Sequence, residues 1–174
     1  MLGLLGEADL WRGRYQQAAG HLQQALALFR DLGDQISETE ILATLGLTSL
    51  RLGDYAQADG YLTEALALCG ETGDLSSQAC TFSALGELLL ATERFAEAHA
   101  RYGAGLDAAT RAGDEYEKAR AHDGLARAYQ ASDAPGCARR HWQEALAIYN
   151  ALGAPEAEQV RTQLDVTGDG RGKP

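Results

Sequence analysis

A shift of forty residues lays the 174-residue chain on itself without an insertion, and this repeat constrains the fold more than any other feature. Four sets of residues fall in register: Gly6, Gly46 and Gly86; Tyr15, Tyr55 and Phe95; Ala18, Ala58, Ala98 and Ala138; Leu26, Leu66, Leu106 and Leu146. Each unit closes on a glycine, at Gly33, Gly73, Gly113 and Gly153. A unit of this length cannot bury its apolar face alone. The repeat therefore predicts four stacked units that contact their neighbours.

Within a unit, apolar residues recur every three or four positions, which is the spacing of a helix and not of a strand. The second unit carries one such stripe at Leu42, Leu45 and Leu52, and another that includes Ala58 and Leu62. Glycines and alanines on these stripes allow paired helices to approach closely. Each unit is therefore predicted to be two helices joined by a tight turn.

The turns carry their own signals. A glycine can end one helix in the left-handed conformation, and the aspartate that follows can cap the next helix. Asp54 with Gln57 and Asp114 with Glu117 have the spacing of a capping box. The third unit has Glu93 where the first two have glycine, so its turn must form without glycine's freedom.

The pattern resembles the tetratricopeptide repeat family. In the second unit the residues that carry the resemblance are Leu42, Leu45, Gly46, Gly53, Tyr55, Ala58, Leu62, Ala65 and Leu66. The resemblance covers residues 1–153, with a period longer than the family's usual length of about 34 residues, as in its longer-helix branch. The closing stretch LARAYQASDAPGCARRHWQEALAIYNALGAPEAEQVRTQL resembles the carboxy-terminal end of actinomycete-type antibiotic regulatory proteins and multidomain ATPase regulators.

This resemblance implies an all-α fold, a right-handed superhelical α-solenoid of four tetratricopeptide helix pairs with a short C-terminal capping helix. The predicted repeats are 1–33, 34–73, 74–113 and 114–153. Residues 154–166 are predicted to form the capping helix, with Ala157, Val160 and Leu164 on one stripe. Residues 167–174 are glycine-rich and are predicted to be disordered.

Composition excludes several classes of function. The 25 acidic residues outnumber the 15 basic ones, and the net charge of -10 disfavours direct binding to nucleic acid. Three cysteines without C-x-x-C spacing suggest neither a disulfide framework nor a zinc site, which favours a reducing cytoplasm. The apolar start meets Glu7 and Asp9 before a signal peptide or membrane span can form. We therefore expect a cytoplasmic protein without a membrane partner.

In the family resembled, the first helix of each unit lines the concave surface. By that resemblance, the predicted partner-binding groove consists of Glu7, Leu10, Trp11, Glu40, Leu47, Leu50, Arg51, Ser83, Glu87, Leu90, Arg120, Asp123, Arg127 and Gln130. Leu10, Leu50 and Leu90 share one register. They form either an apolar ladder for a partner segment or the packing between adjacent first helices.

Two arginines in this set, Arg120 and Arg127, lie seven residues apart on one helical face. They can bind a carboxylate of a peptide ligand. The alternative is a solvated helix face on which Glu117 and Asp123 neutralise them.

At the amino terminus, the first helix begins about six residues late in the forty-residue register. Its residues Leu2, Leu4, Leu5 and Trp11 are predicted to form an apolar edge for self-association. Three readings stay open: the chain is the carboxy-terminal piece of a longer regulator, two copies form a homodimer through this edge, or the short helix packs on its own unit.

Residues that carry chemistry are sparse. His122 occupies a core register, the histidines do not cluster in sequence, and no catalytic or nucleotide-binding motif is present, so we expect no metal, no cofactor and no enzyme activity. Cys137 precedes Arg139 and Arg140, a setting that lowers a thiol's pKa, but its register is an outward one and favours an incidental surface cysteine. The sequence thus predicts a non-catalytic module that binds a protein or peptide.

The resemblance places such a module in the interaction or sensory part of a bacterial transcription regulator. The alternative function is a sensor of a small ligand or signal peptide, in which the concave groove switches an attached domain.

Overall fold

A computed structural model describes residues 1–169 of the chain, which form α-helices and no strand over that range. The helices are α1 (Leu2–Trp11), α2 (Tyr15–Leu32), α3 (Gln35–Leu52), α4 (Tyr55–Thr72), α5 (Leu75–Ala91), α6 (Phe95–Ala112), α7 (Glu115–Ala131), α8 (Pro135–Leu152) and α9 (Glu156–Asp169). Each packs on the next in chain order, so α1 to α8 form four antiparallel pairs and α9 follows the last pair. The predicted all-helical solenoid is confirmed.

The first helices of the pairs form the inner layer of the stack. Helices α3, α5 and α7 pack directly on one another, whereas α4, α6 and α8 share no comparable contact within the described residues. A stack whose first helices lie closer together than its second helices must curve. The concave surface is therefore formed by the first helices.

In each pair, a small residue of the first helix leaves room for a large side chain of the second helix. A Cβ atom added to Gly46 would lie 2.5 Å from Cγ of Leu62, and one added to Gly86 would lie 2.6 Å from Cζ of Tyr102. The second helices fill this space with one large, fully buried side chain per unit: Leu22, Leu62, Tyr102 and Trp142. The forty-residue register therefore aligns the core of the solenoid as well as its turns.

The helix ends follow the predicted caps in part. Asp34, Asp54 and Asp114 accept hydrogen bonds from the backbone amides three residues later. The capping box of Asp114 is formed on one side only, because the Glu117 carboxylate pairs with Arg120 and not with the Asp114 amide. The chain turns into α6 and α8 without glycine by placing Glu93 and Asp133 at φ of 59° and 56°.

The carboxy-terminal boundary lies later than predicted. Helix α9 begins at Glu156 and continues through Asp169, so residues 167–169 extend the helix and do not belong to a disordered tail. Ala157 and Val160 are buried against α8, and this packing supports the helix. The rest of the predicted tail, residues 170–174, lies outside the described residues.

Candidate functional site

A cavity of about 450 Å³ opens on the concave surface between α1, α3, α5, α7 and the start of α9. Three arginines reach it, Arg51 from the last turn of α3 and Arg120 and Arg127 from α7. We call this cavity the arginine compartment. Its lining comes from all four units and from α9, so no single repeat could form it.

The three guanidinium groups converge on one carboxylate, Glu87 of α5. Arg51 Nη2 lies 3.1 Å from Glu87 Oε2, and the Nη2 atoms of Arg120 and Arg127 lie 3.9 and 4.0 Å from Glu87 Oε1. The Glu87 side chain is 14% exposed, whereas those of Arg51 and Arg127 are 49% and 43% exposed. One carboxylate therefore orients three arginines whose outer edges still face the cavity.

Further contacts fix the arginines of α7. Arg120 Nη1 donates to Glu117 Oε1 at 2.7 Å, and Arg127 Nε lies 3.4 Å from Asp123 Oδ2. The Asp123 carboxylate also accepts a hydrogen bond from the Trp142 indole at 3.0 Å. The guanidinium groups are thus held in place before any ligand arrives, which reduces the entropic cost of binding.

Tyr102 lines the arginine compartment from α6, the second helix of its pair. Its ring lies in a slot between Gly86 of α5 and Gly124 of α7, where an added Cβ would come within 2.6 and 2.1 Å of the ring atoms. The Tyr102 hydroxyl is buried and has no hydrogen-bond partner within the described residues, and the same holds for Ser83 Oγ. Burial raises the pKa of the Tyr102 phenol, so it remains a protonated donor at neutral pH.

The remaining wall of the arginine compartment is aromatic and apolar. Leu10, Leu47 and Trp11 line one end, and the Trp11 side chain is 81% exposed. Tyr116 and Tyr149 line the other end, where the Tyr116 hydroxyl donates to Glu156 Oε1 at 2.7 Å. A ligand would therefore meet guanidinium donors in the middle and apolar surface to the side.

A second cavity of about 370 Å³ lies beside the first and shares Leu47 as a wall. We call it the acidic compartment, because the charged groups that line it are all carboxylates: Glu7, Glu40, Asp114 and Glu117. Burial and the nearby Glu7 carboxylate raise the pKa of Glu40. Burial also raises the pKa of Glu117, which is only 8% exposed.

Most of the predicted groove residues line one of these two compartments. The arginine compartment contains Leu10, Trp11, Leu47, Arg51, Ser83, Glu87, Arg120, Asp123 and Arg127. The acidic compartment contains Glu7 and Glu40. Gln130 is exposed and lines neither compartment.

The apolar ladder of Leu10, Leu50 and Leu90 does not form in the groove. Leu50 is 7% exposed and packs in the core with Leu85 and Leu88, and Leu90 packs against the cluster around Tyr102. The reason is geometric: residues near the ends of adjacent first helices face one another where these helices pack. Leu10 alone of the three lines a compartment.

Sequence reasoning missed the groove residues that do not lie on first helices. These are Tyr15, Tyr102, Tyr149, Glu156 and Gln159. For Tyr102 a signal was present, because its register holds leucine in the first two units and a polar aromatic residue in the last two. An inward position that changes from leucine to tyrosine indicates a hydroxyl that reaches another surface.

The predicted amino-terminal edge is only partly exposed. Leu4, Leu5 and Trp11 are exposed at 71%, 46% and 81%, whereas Leu2 packs against the core of the first two units. Trp11 also lines the arginine compartment, so it is available to a ligand in the groove.

Three of the four histidines cluster in space, although they are distant in sequence. His122 Nδ1 lies 3.0 Å from His141 Nδ1, and the His141 ring stacks on Tyr129 at 5.4 Å between centroids. Tyr129 in turn contacts His99 at 4.3 Å between centroids. Burial lowers the pKa of all three histidines.

Cys137 is exposed and carries no disulfide. Across residues 1–169, no three histidine, cysteine or acidic side chains gather in a way that could hold a metal ion. No helix in this range combines the length and the apolar character needed to cross a bilayer.

Comparison with protein families matches residues 1–71 to the tetratricopeptide repeat. No curated protein matches the chain in sequence. Solved structures do match it. BtubC (BKLC) from P. vanneervenii shares 21% identity at a TM-score of 0.71, over 87% of this chain and 63% of BtubC.

Two further structures match nearly the whole chain. A Rap protein complexed with Competence and Sporulation Factor has a TM-score of 0.89 at 15% identity, over 98% of this chain and 48% of that protein. The apo form of RapI has a TM-score of 0.77 at 14% identity, with the same coverage. The chain thus spans about half to two thirds of the length of these three proteins. At these identities the likeness is one of fold, a tetratricopeptide-like solenoid.

Proposed function

We propose that this chain is a non-catalytic tetratricopeptide module that binds a peptide segment, from a free peptide or a protein partner, in its concave groove. The observation that carries the proposal is the arginine compartment, whose lining combines three arginines with Tyr102 and Ser83, two residues whose buried hydroxyls have no hydrogen-bond partner in the described part of the chain. Buried polar groups in folded proteins are nearly always hydrogen-bonded, so the Tyr102 and Ser83 hydroxyls favour a ligand that completes them.

The chemistry of the compartment fits an extended peptide. Guanidinium and hydroxyl donors suit the carbonyl and carboxylate oxygens of a peptide, and charge-assisted hydrogen bonds of this kind are among the stronger ones. Trp11, Leu10 and Leu47 offer apolar surface beside the donors. A groove of convergent polar groups beside apolar walls is the usual form of a recognition site.

The comparisons support this proposal at the level of fold. The tetratricopeptide repeat matches the first part of the chain, and the Rap neighbour is solved with a bound factor. The resemblance of the carboxy-terminal stretch to actinomycete-type regulators makes a sensory or interaction role in a bacterial transcription regulator our specific proposal. In that role the module would be cytoplasmic and would contact protein or peptide, not nucleic acid or membrane.

The test uses the intrinsic fluorescence of Trp11. A positional-scanning library of acetylated, amidated hexapeptides is titrated into the protein, and the emission of the exposed Trp11 reports occupation of the arginine compartment. Trp142 is buried and its indole donates to Asp123, which lines the compartment, so any change in its emission reports the same site. We expect a subset of sublibraries to shift the emission saturably.

The decisive variant is Tyr102→Phe, which removes one hydroxyl and keeps the ring in its slot. We expect affinity for the selected peptides to fall about tenfold, as for loss of a hydrogen bond to a charged group, and stability to stay equal or rise. Tyr55→Phe, which removes an exposed hydroxyl outside the groove, is the matched control. Saturable binding that is indifferent to Tyr102→Phe would remove the arginine compartment from the proposal, and no binding in the whole library would end it.

A small-molecule sensor is the second candidate function. The observation in its favour is that the polar anchors of the arginine compartment are fixed before binding and that its volume suits a small ligand. Titration with single amino acids and dipeptides separates the two, since a sensor of small molecules would bind these as tightly as hexapeptides.

Self-association is a separate proposal. Leu4 and Leu5 give the exposed apolar surface, and a homodimer through them would leave the groove accessible. Light scattering on the wild type and on Leu5→Glu tests this, because a dimer that uses this edge would dissociate in the variant.

A further inference from the structure

The acidic compartment holds carboxylates that the fold does not neutralise. In the described part of the chain, no basic side chain lies within 4.0 Å of Glu7 or Glu40. The two groups also repel each other, and this repulsion contributes to the raised pKa of Glu40. Like charges gathered on one surface cost free energy, so the arrangement needs an explanation.

Helix ends explain only part of the cluster. Asp114 is the N-cap of α7, and Glu117 lies in its first turn, where a negative charge is favourable. Glu7 and Glu40 are the sixth residues of α1 and α3, beyond the first turn, where this effect has faded. These two carboxylates therefore contribute nothing obvious to their own helices.

A buried carboxylate oxygen gives an independent indication of a ligand. Glu117 is 8% exposed and lines the acidic compartment. Its Oε1 pairs with Arg120, but its Oε2 is buried and has no partner within the described residues. An acceptor of this kind is costly to leave unsatisfied, and it calls for a donor from outside the chain.

Three of the four hydroxyl groups that line the compartment have the same polarity. Thr39 Oγ1 donates to Gln35 O at 2.7 Å, Thr44 Oγ1 to Glu40 O at 2.9 Å, and Ser77 Oγ to Asp74 Oδ2 at 2.7 Å. Because these three hydroxyls already donate to a group in the protein, only their lone pairs remain for a ligand. The carboxylates and these hydroxyls therefore offer acceptors to a ligand.

We propose that the acidic compartment binds a lysine or arginine side chain of the bound peptide, while the neighbouring arginine compartment binds its acidic or carbonyl groups. The inference rests on the peptide-binding function proposed above and specifies its ligand as a peptide of mixed charge. A volume of about 370 Å³ accommodates the long aliphatic stem as well as the charged head. Leu47, the shared wall, contacts both parts of the ligand.

The order of the two compartments then fixes how the peptide lies. Glu117 and Arg120 form an ion pair where the two compartments meet, so the charged groups change there from carboxylates alone to arginines alternating with carboxylates. A peptide with its basic residue at the arginine compartment would place that charge beside the exposed edges of Arg51 and Arg127 and would leave the carboxylates of the acidic compartment without a cation. The groove therefore selects the arrangement of charges along the peptide as well as their presence.

The test is the hexapeptide library with the double variant Glu7→Gln/Glu40→Gln. In the wild type, we expect fixed lysine or arginine at one position to bind about tenfold more tightly than fixed norleucine, as for a charge-assisted hydrogen bond. The double variant should lose this preference and keep the preference for acidic residues elsewhere in the peptide. It should fold at least as stably as the wild type, because the substitution removes like-charge repulsion.

The matched control is Asp31→Asn/Asp165→Asn, which changes the net charge equally at two exposed positions outside the groove. This control should retain the full preference for lysine or arginine. If peptides bind but the preference is absent, or survives in Glu7→Gln/Glu40→Gln, the present inference fails and the proposed function stands. If no peptide binds, both fail.

Discussion

Two residues adopt a backbone conformation that their side chains disfavour. Glu93 and Asp133 have positive φ at the turns of the third and fourth pairs, where Gly13 and Gly53 serve the first two. The left-handed conformation costs a residue with a Cβ about 1–2 kcal/mol. The solenoid bears this cost because the same backbone hydrogen bond closes each turn, at 2.8 Å from Arg94 N to Leu89 O and 2.9 Å from Asp54 N to Ser49 O.

We therefore expect Glu93→Gly to stabilise the protein by up to about 1 kcal/mol, since glycine removes the steric cost but has more freedom to lose on folding. The midpoint of urea unfolding is the measurement. The reverse change, Gly53→Ala, is the companion variant and should destabilise by a similar amount. Equal midpoints for wild type and Glu93→Gly would mean that the glutamate side chain stabilises the turn in some other way.

Single residues also mark the limit of prediction from sequence. The caps at Asp34, Asp54 and Asp114 were predictable because a cap depends on residues close in the chain. The groove position of Tyr102 was not, because it depends on Gly86 and Gly124, which lie on two other helices. The burial of Leu50 was likewise decided by a neighbouring unit.

At the scale of helices, the histidine cluster joins α6, α7 and α8 and makes their packing sensitive to acid. Burial favours the neutral form of His99, His122 and His141, and the facing Nδ1 atoms of His122 and His141, 3.0 Å apart, can share only one hydrogen. Lys118 and Arg140 disfavour their protonation further, and Glu144 opposes this effect.

Because burial lowers these pKa values in the folded state, the unfolded chain binds more protons just below its own histidine pKa of about 6.5. The contribution of these histidines to stability should be complete above that pH and fall as the pH drops toward 5.5, by on the order of 1 kcal/mol, whereas the raised pKa values of Glu40 and Glu117 act in the opposite direction at lower pH. Urea unfolding at pH 7.5 and 5.5 measures the loss. The capping carboxylates of Asp34 and Asp74, whose pKa values are lowered by hydrogen bonds, lose their contribution only at lower pH.

The variant His122→Gln identifies the source of the effect. It removes one member of the close pair, so the difference in stability between the two pH values should shrink. A difference equal to that of the wild type would place the acid sensitivity outside this cluster.

At the scale of the whole molecule, Glu87 ties three consecutive units together across the concave surface. Its partners Arg51, Arg120 and Arg127 come from α3 and α7, and none of these links depends on sequence proximity. Without the carboxylate, three positive groups would face one another in a partly closed space.

Glu87→Gln should therefore destabilise the protein by about 1.5–3 kcal/mol, the usual loss for a hydrogen bond to a charged group, and loosen the curvature of the stack. Urea unfolding and the radius of gyration from small-angle scattering are the measurements. Glu64→Gln is the control, because it breaks the exposed pair with Arg30, and such pairs contribute about 0–1 kcal/mol. Matching losses in the two variants would show that Glu87 is only another surface partner.

The overall architecture could be predicted from the sequence because consecutive repeats pack against each other in chain order. Once the forty-residue register is known, each helix pair must stack on the next, and the described structure follows this rule from α1 to α8. The division of the groove into a compartment that presents arginines and one whose charged groups are all carboxylates was not predictable from the sequence. This division depends on how the ends of α3, α5 and α7 pack against one another. The spacing of residues within one unit, such as Glu117 and Arg120, does not predict these contacts between units.

The slot that holds Tyr102 could be built in another repeat of the solenoid, and the groove would then present a tyrosine hydroxyl at a different place. It requires a glycine from each flanking first helix, Gly86 and Gly124, and the preceding unit offers Gly46 and Ala84 at the same registers. A single methyl group, that of Ala84, is therefore the main difference between a slot for Leu62 and a slot for a tyrosine. Two substitutions, Ala84→Gly and Leu62→Tyr, would move the tyrosine slot by one repeat. This scaffold can therefore acquire new ligands through changes at buried positions.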